Sequence, residues 1–212
     1  MKRIATALVL VPFAVYLVLW APDWALIGAL AVIGILAFLE YRRIVLRSPR
    51  PELKSILGIV YIFGPLVCAI ALRRINTHWL LLALILCWVG DTAALYVGKT
   101  WGRHKLARVS PNKTWEGAIA SLLGALIAAV IYAHYLIPEA ALPIVLLIAT
   151  VGNIAGQCGD LAESALKRTA GVKDSGASLP GHGGWLDRID AILFTIPVVY
   201  VLVLLCGSSA AR

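Results

Sequence analysis

The chain has 212 residues, 61% of them hydrophobic and 14% charged, which leaves too little polar surface to clothe a water-soluble globule of this size. A formal charge of +8 would suit nucleic acid, but the basic residues alternate with long apolar runs and form no patch. The composition therefore excludes a soluble domain and a nucleic-acid partner and leaves membrane lipid as the solvent.

Apolar runs without Lys, Arg, Asp or Glu cover residues 4–20, 24–39, 56–72, 79–90, 117–137, 140–158 and 191–207. Most reach the roughly 17 to 25 residues of a spanning helix. The run at 79–90 does so only by continuing through Asp91 to Gly98, which puts an acid inside a membrane helix. The expected fold is all-α: one integral membrane domain over residues 1–212, a polytopic bundle of about seven spans. The first run follows Lys2 and Arg3 as a signal peptide would, but Leu19-Trp20-Ala21-Pro22 offers no clean small-x-small cleavage site, so it is read as a retained helix.

With a cytoplasmic N-terminus, sixteen of the nineteen basic residues fall on cytoplasmic segments: Lys2 and Arg3, Arg42 to Lys54, Lys99 to Lys113, and Lys167 to Arg188. Arg73, Arg74 and Arg212 fall opposite, and the first two count against this topology. Cys68, Cys87, Cys158 and Cys206 sit singly in apolar runs, which suits packing and not a metal or disulfide framework.

The connections at 42–54 and 137–141 read as plain turns, whereas two others concentrate chemistry. Before the first lies Asp91, a functional-site candidate because an ionisable group is costly inside a span. After it come Gly102-Arg103-His104-Lys105 and Ser110-Pro111-Asn112-Lys113-Thr114-Trp115-Glu116-Gly117. Pro111 fits a turn before a helix and Thr114 and Glu116 fit ordinary capping, which leaves Asn112 and Lys113 unexplained.

In the second, Asp160, Glu163, Ser164 and Lys167 recur at i, i+3, i+4 and i+7, one stripe of a helix. That stripe suits a metal and a phosphate, or equally a solvated helix end with a Glu163–Lys167 pair. Lys173 to Gly184 carries four glycines and a proline, so it is a loop. Its backbone N–H groups, with Lys173 and His182, resemble a phosphate cradle, though no Walker pattern is present. Asp187 and Asp190 stand one turn apart at the start of the last helix, where a carboxylate also serves as a cap.

Together these residues resemble the CDP-diacylglycerol synthases, or phosphatidate cytidylyltransferases. The likeness rests on Ser164, Lys167-Arg168, Lys173-Asp174, Gly176, Leu179-Pro180, His182-Gly183-Gly184 and Asp187-Arg188-Ile189-Asp190 in one register, and on Asp91 to Tyr96, Gly98-Lys99 and Ser110 to Gly117 upstream. It makes residues 88–206 the catalytic region. Over 1–87 only hydropathy and Glu40-Tyr41 agree, the N-terminal side is shorter than in typical members, and Trp185 replaces a smaller aliphatic residue.

The resemblance implies transfer of a cytidylyl group from CTP to phosphatidate, with Mg²⁺ as cofactor, at the cytoplasmic face of a bacterial inner membrane. It casts Asp160 and Asp187 as the main metal ligands, with Glu163, Ser164, Asp190 and Asp91 as further candidates. Lys167, Arg168, Lys173 and Arg188 would face phosphate oxygens, Asn112 and Lys113 the nucleotide or lipid phosphate, and Gly183 and Gly184 the substrate. His182 would donate to phosphate or brace the loop. A homodimer is left open. The alternatives are a cytidylyltransferase for an ether-lipid or polyprenyl phosphate, and a transporter of anionic solutes, which paired half-repeats would mark.

Overall fold

Each apolar run folds as one helix, because in lipid every backbone N–H and C=O must find its partner within the segment. The computed structural model describes residues 2–176, 178 and 183–207. Its helices are α1 (Lys2–Leu19), α2 (Asp23–Val45), α3 (Pro51–Ile75), α4 (Thr77–Thr100), α5 (Trp115–Leu136), α6 (Leu142–Thr169) and α7 (Leu186–Gly207). Six of them, α2 to α7, are long and apolar enough to cross a membrane, and α1 adds the shorter apolar stretch Val9–Leu19. The chain is a multi-pass integral membrane protein, as its hydropathy predicts.

Two expectations about boundaries hold. Helix α4 runs through Asp91 to Thr100, so the acid lies within a helix of membrane-spanning length, and α6 carries the Asp160–Lys167 stripe as a continuation of its span. One local reading changes. Pro111 lies inside a strand instead of a turn: β1 (Lys105–Ala107) and β2 (Ser110–Thr114) form an antiparallel hairpin with Lys105 opposite Thr114 and Ala107 opposite Ser110. A two-stranded ribbon is all edge, so a proline costs it little. Thr114 then caps α5, its hydroxyl accepting from Gly117 N–H at 3.1 Å.

Helices in lipid gain no hydrophobic drive toward each other, so close van der Waals approach of small residues must hold them. Helix α5 buries Gly117, Ser121, Ala125, Ala129 and Ala133, a four-residue repeat that brings its backbone close to α4, while Ile119, Leu123 and Ile127 face outward. Helix α6 meets α7 through glycines. A Cβ on Gly156 would fall 2.6 Å from Thr195 Oγ1, and one on Gly159 2.6 Å from Phe194 Cδ2. A second apolar cluster joins Ala37, Tyr41 and Ile44 of α2 to Ile62 and Leu66 of α3 and Leu186 and Leu193 of α7.

The turns α1–α2 and α3–α4 lie together at one end. There Arg73 donates from Nε to the Val18 carbonyl at 3.0 Å, from one terminal nitrogen to Asp23 at 2.9 Å and from the other to the Ala21 carbonyl. It caps the C-terminal end of α1, where a cation is favoured by the helix dipole. Its position therefore has a local cause, which weakens it as a counter-signal to the charge topology. The ends of α2, α4 and α6, the hairpin and the start of α7 gather at the opposite end, joined by contacts between Glu40 and Leu186, Lys113 and Asp160, and Lys167 and Asp187.

Candidate active site

At that second end, α4, α5, α6, α7 and the hairpin enclose a cavity of about 490 Å³. Asp91 reaches it from α4, Ser110, Asn112 and Lys113 from β2, Ser121 from α5, Gln157 and Asp160 from α6, and Arg188 from the first turn of α7. Lys113 Nζ lies 2.5 Å from Asp160 Oδ2, and both side chains remain about a third exposed or less, at 26% and 33%. Asp91 lies within electrostatic reach of Asp160, Lys113 and Arg188. Two acids and two bases thus face one chamber in a protein only 14% charged.

A polar seam floors the chamber. Asn153 donates from Nδ2 to the Leu86 carbonyl at 3.4 Å and to Ser121 Oγ at 3.1 Å, and Gln157 donates from Nε2 to the Ala118 carbonyl at 3.2 Å and to Asn153 Oδ1 at 2.7 Å. Because main-chain carbonyls only accept, they orient both amides. Sequence reasoning passed over this seam. Its sequence signal is the i, i+4 spacing of Asn153 and Gln157 inside an apolar run, where neutral amides carry no charge to mark them.

Behind Asp160 lies a second charged centre. Lys167 Nζ is 2.5 Å from Glu163 Oε2 and 2.6 Å from Asp187 Oδ1, with Glu163 and Asp187 side chains only 0% and 7% exposed. Glu163 Oε2 meets only the Lys167 ammonium, and Oε1 has no hydrogen-bond partner. Asp187 is held by three donors: beside Lys167 it accepts from Ser175 N–H at 3.0 Å and Gly184 N–H at 2.8 Å. Asp190 Oδ1 accepts from the N–H of Ala191 at 2.8 Å and lies within electrostatic reach of Asp160, Glu163 and Asp91.

The glycine loop is shaped around these carboxylates. Gly183 has φ +78°, open to glycine at little cost, which turns Gly184 N–H toward Asp187. Glu40, at 2% exposure, accepts from Ser175 Oγ at 3.0 Å, Ser178 Oγ at 2.7 Å and Leu186 N–H at 3.0 Å. Its sequence position gives little sign of this, since Glu40 ends an apolar run like any interfacial charge.

The other expected site residues are spread more widely. Arg168 turns outward, donating to the Val172 carbonyl at 3.0 Å and the Val109 carbonyl at 3.4 Å, so it ties α6 to the hairpin. Ser164 is buried and Lys173 exposed, and neither lines the cavity. His182 lies outside the described residues. His104 and Glu116 are accounted for by each other, at 2.6 Å across the base of the hairpin.

Among the described residues no three His, Cys, Asp or Glu side chains close on one point. The donor chemistry nonetheless fits Mg²⁺, which is usually held by one or two carboxylates with water and substrate phosphates completing an octahedron. Asp160, Asp187 and Glu163 each carry an ammonium group against one carboxylate oxygen, and Glu163 Oε1 is buried with no partner.

The cytidylyltransferase family profile matches residues 52–206. The chain belongs to this cytidylyltransferase family. It is 39% identical over 150 residues to a phosphatidate cytidylyltransferase of Staphylococcus haemolyticus, covering 70% of this chain and 58% of that protein. It is 42% identical over 133 residues to one of Staphylococcus saprophyticus, covering 62% and 51%, and 42% identical over 142 residues to one of Bacillus subtilis, covering 64% and 52%. The chain thus spans a little over half the length of these relatives.

Proposed function

We propose that the chain transfers the cytidylyl group of CTP to phosphatidate, giving CDP-diacylglycerol and pyrophosphate. The observation that carries this reading is the cavity at the bundle's basic end, where Lys113 and Arg188 face Asp91 and Asp160. The names of the bacterial relatives support the choice of substrates.

A lipid phosphate is already ionised at neutral pH. Its attack on the α-phosphorus of CTP forms one P–O bond as the bond to pyrophosphate breaks, and this asks for alignment and charge neutralisation more than for a general base. Lys113 and Arg188 neutralise phosphate oxygens, the planar guanidinium by paired donors and the ammonium as a point charge. Asn112 orients the incoming phosphate beside Lys113. Asp160 and Asp187 are the carboxylates to hold Mg²⁺, with Asp91, Glu163 and Asp190 as further acids beside them. Bound there, Mg²⁺ would supply charge neutralisation and a template for in-line displacement. Lys167 offsets the charge of Glu163 and Asp187, and the backbone of Gly183 and Gly184 borders Asp187.

Purified protein supplied with labelled CTP, Mg²⁺ and, separately, phosphatidate, an ether-linked phosphatidate and a polyprenyl phosphate is expected to label phosphatidate first. Labelling of only one of the other lipids, or of none, would overturn the assignment.

We place the cavity on the cytoplasmic side of a bacterial inner membrane, because sixteen of nineteen basic residues share its end in the charge topology. In a cysteine-free background, Arg108→Cys and Lys173→Cys, both exposed, are expected to resist an impermeant thiol reagent outside intact cells and to react once cells are opened. Labelling of either from outside would reverse the orientation or divide the site.

A further inference from the structure

Glu40 has no task in the scheme above, yet it is one of the most deeply buried acids in the chain at 2% exposure. It lies in α2, before the residues that match the family profile. Among the described residues no lysine or arginine pairs with it. An ionised carboxylate taken out of water is costly unless donors surround it. The donors here are Ser175 Oγ, Ser178 Oγ and Leu186 N–H, which belong to the glycine loop and the first residue of α7. The loop and the helix start therefore close on Glu40.

The loop's glycines fit this contact. A Cβ on Gly176 would fall 2.6 Å from Glu40 Oε1, and one on Gly184 would run into Glu40 Oε2 and Ser175 Oγ. Only a bare backbone approaches the carboxylate this closely. The same two places serve Asp187. Ser175 gives its hydroxyl to Glu40 and its N–H to Asp187 at 3.0 Å, while Gly184, packed on Glu40, gives its N–H to Asp187 at 2.8 Å. Two acids on different helices share one short stretch of loop between them.

We propose that Glu40 is a positioning residue for the transfer reaction: from α2 it holds the glycine loop and the start of α7 so that Ser175 and Gly184 N–H groups fix the Asp187 carboxylate. This rests on the proposed cytidylyl transfer through the role given there to Asp187. What Glu40 contributes is hydrogen-bond acceptance, not charge delivered to substrate. Glutamine can reproduce that pattern. Its carbonyl oxygen takes the two donors now on Oε2, and its amide donates to Ser178 Oγ, a hydroxyl that also accepts. Leucine, of similar size, cannot.

Three variants and two measurements test this. Glu40→Gln is expected to keep kcat within about threefold of the parent chain. Glu40→Leu is expected to lower kcat by about 10- to 100-fold, the usual loss when the support of an active-site ligand is removed, with KM for CTP nearly unchanged. Trypsin should cut the folded Glu40→Leu chain after the exposed Lys173 much faster than the parent, while Glu40→Gln stays protected. Should Glu40→Leu fail to fold, Ser178→Ala removes a single loop contact, and its expected signs are a smaller fall in kcat and faster cutting at Lys173.

Equal loss in Glu40→Gln and Glu40→Leu would overturn the proposal, because charge would then be the requirement. Unchanged kcat and unchanged cutting in Glu40→Leu, or in Ser178→Ala where that variant stands in, would overturn it as well. If the parent chain makes no CDP-diacylglycerol, the proposed function fails by itself. Loop protection by Glu40, read by trypsin without substrate, then still supports or removes the clamp.

Discussion

Asp160→Asn is expected to lower CDP-diacylglycerol formation by about 10²- to 10³-fold or more, the scale seen when one well-placed electrostatic group is removed from a transition state. The chain should still insert, purify and melt as before. Asparagine keeps the shape of the side chain, removes its charge and turns one acceptor oxygen into an amide donor, which at this partly exposed position water can satisfy. Lys113, 2.5 Å away, is left without its partner, but at 26% exposure it stays solvated, so the stability cost is expected to be below about 1 kcal/mol. Activity and melting temperature measured on one preparation separate the two effects. A variant keeping about half its activity would remove Asp160 from the mechanism. Asp187→Asn is a poorer probe, although the sequence nominates both residues alike. Its new amide would face the Ser175 or Gly184 N–H, so lost activity there would mix chemistry with a displaced loop.

Lys167→Met carries the largest expected loss of stability. Its ammonium lies between Glu163 and Asp187, whose side chains are 0% and 7% exposed, and methionine fills the space without the charge. Breaking a buried ion pair by removing one partner costs about 3–5 kcal/mol, because the remaining charge stays buried. The variant should therefore unfold at a clearly lower temperature in detergent. Adding Glu163→Gln should recover part of the loss, since one of the two stranded carboxylates is then neutral. An unchanged melting temperature in Lys167→Met would show that the acids do not depend on this cation. Additive losses in the double variant would show that Glu163 and Lys167 are uncoupled.

What the sequence displays and what it conceals divide along physical lines. The helix from Thr77 to Thr100 could be read because a span needs length, and 79–90 alone is too short, which forces Asp91 into the helix. The Glu163–Lys167 contact follows from i, i+4 spacing, but its third member, Asp187, is twenty positions away from the lysine and only the packing of α6 on α7 unites them. The hairpin was concealed because strands of three and five residues leave no usable alternation, and its anchor is the separate His104–Glu116 pair. The Asn153–Gln157 seam was concealed by chemistry, since a hydropathy reading sets aside neutral amides. Glu40 was concealed by distance, as its donors follow it by 135 or more positions.

The four-residue repeat along α5 has an evolutionary consequence. Toward α4, Gly117, Ser121, Ala125, Ala129 and Ala133 have no room to grow, while toward lipid Ile119, Leu123 and Ile127 meet a solvent that accepts any aliphatic shape. Substitutions accumulating over generations should therefore be frozen on one side of this helix and nearly free on the other. The seam that stays fixed is also a wall of the chamber, since Gly117 and Ser121 line it, so selection for tight packing and selection for the reaction would act on the same few positions.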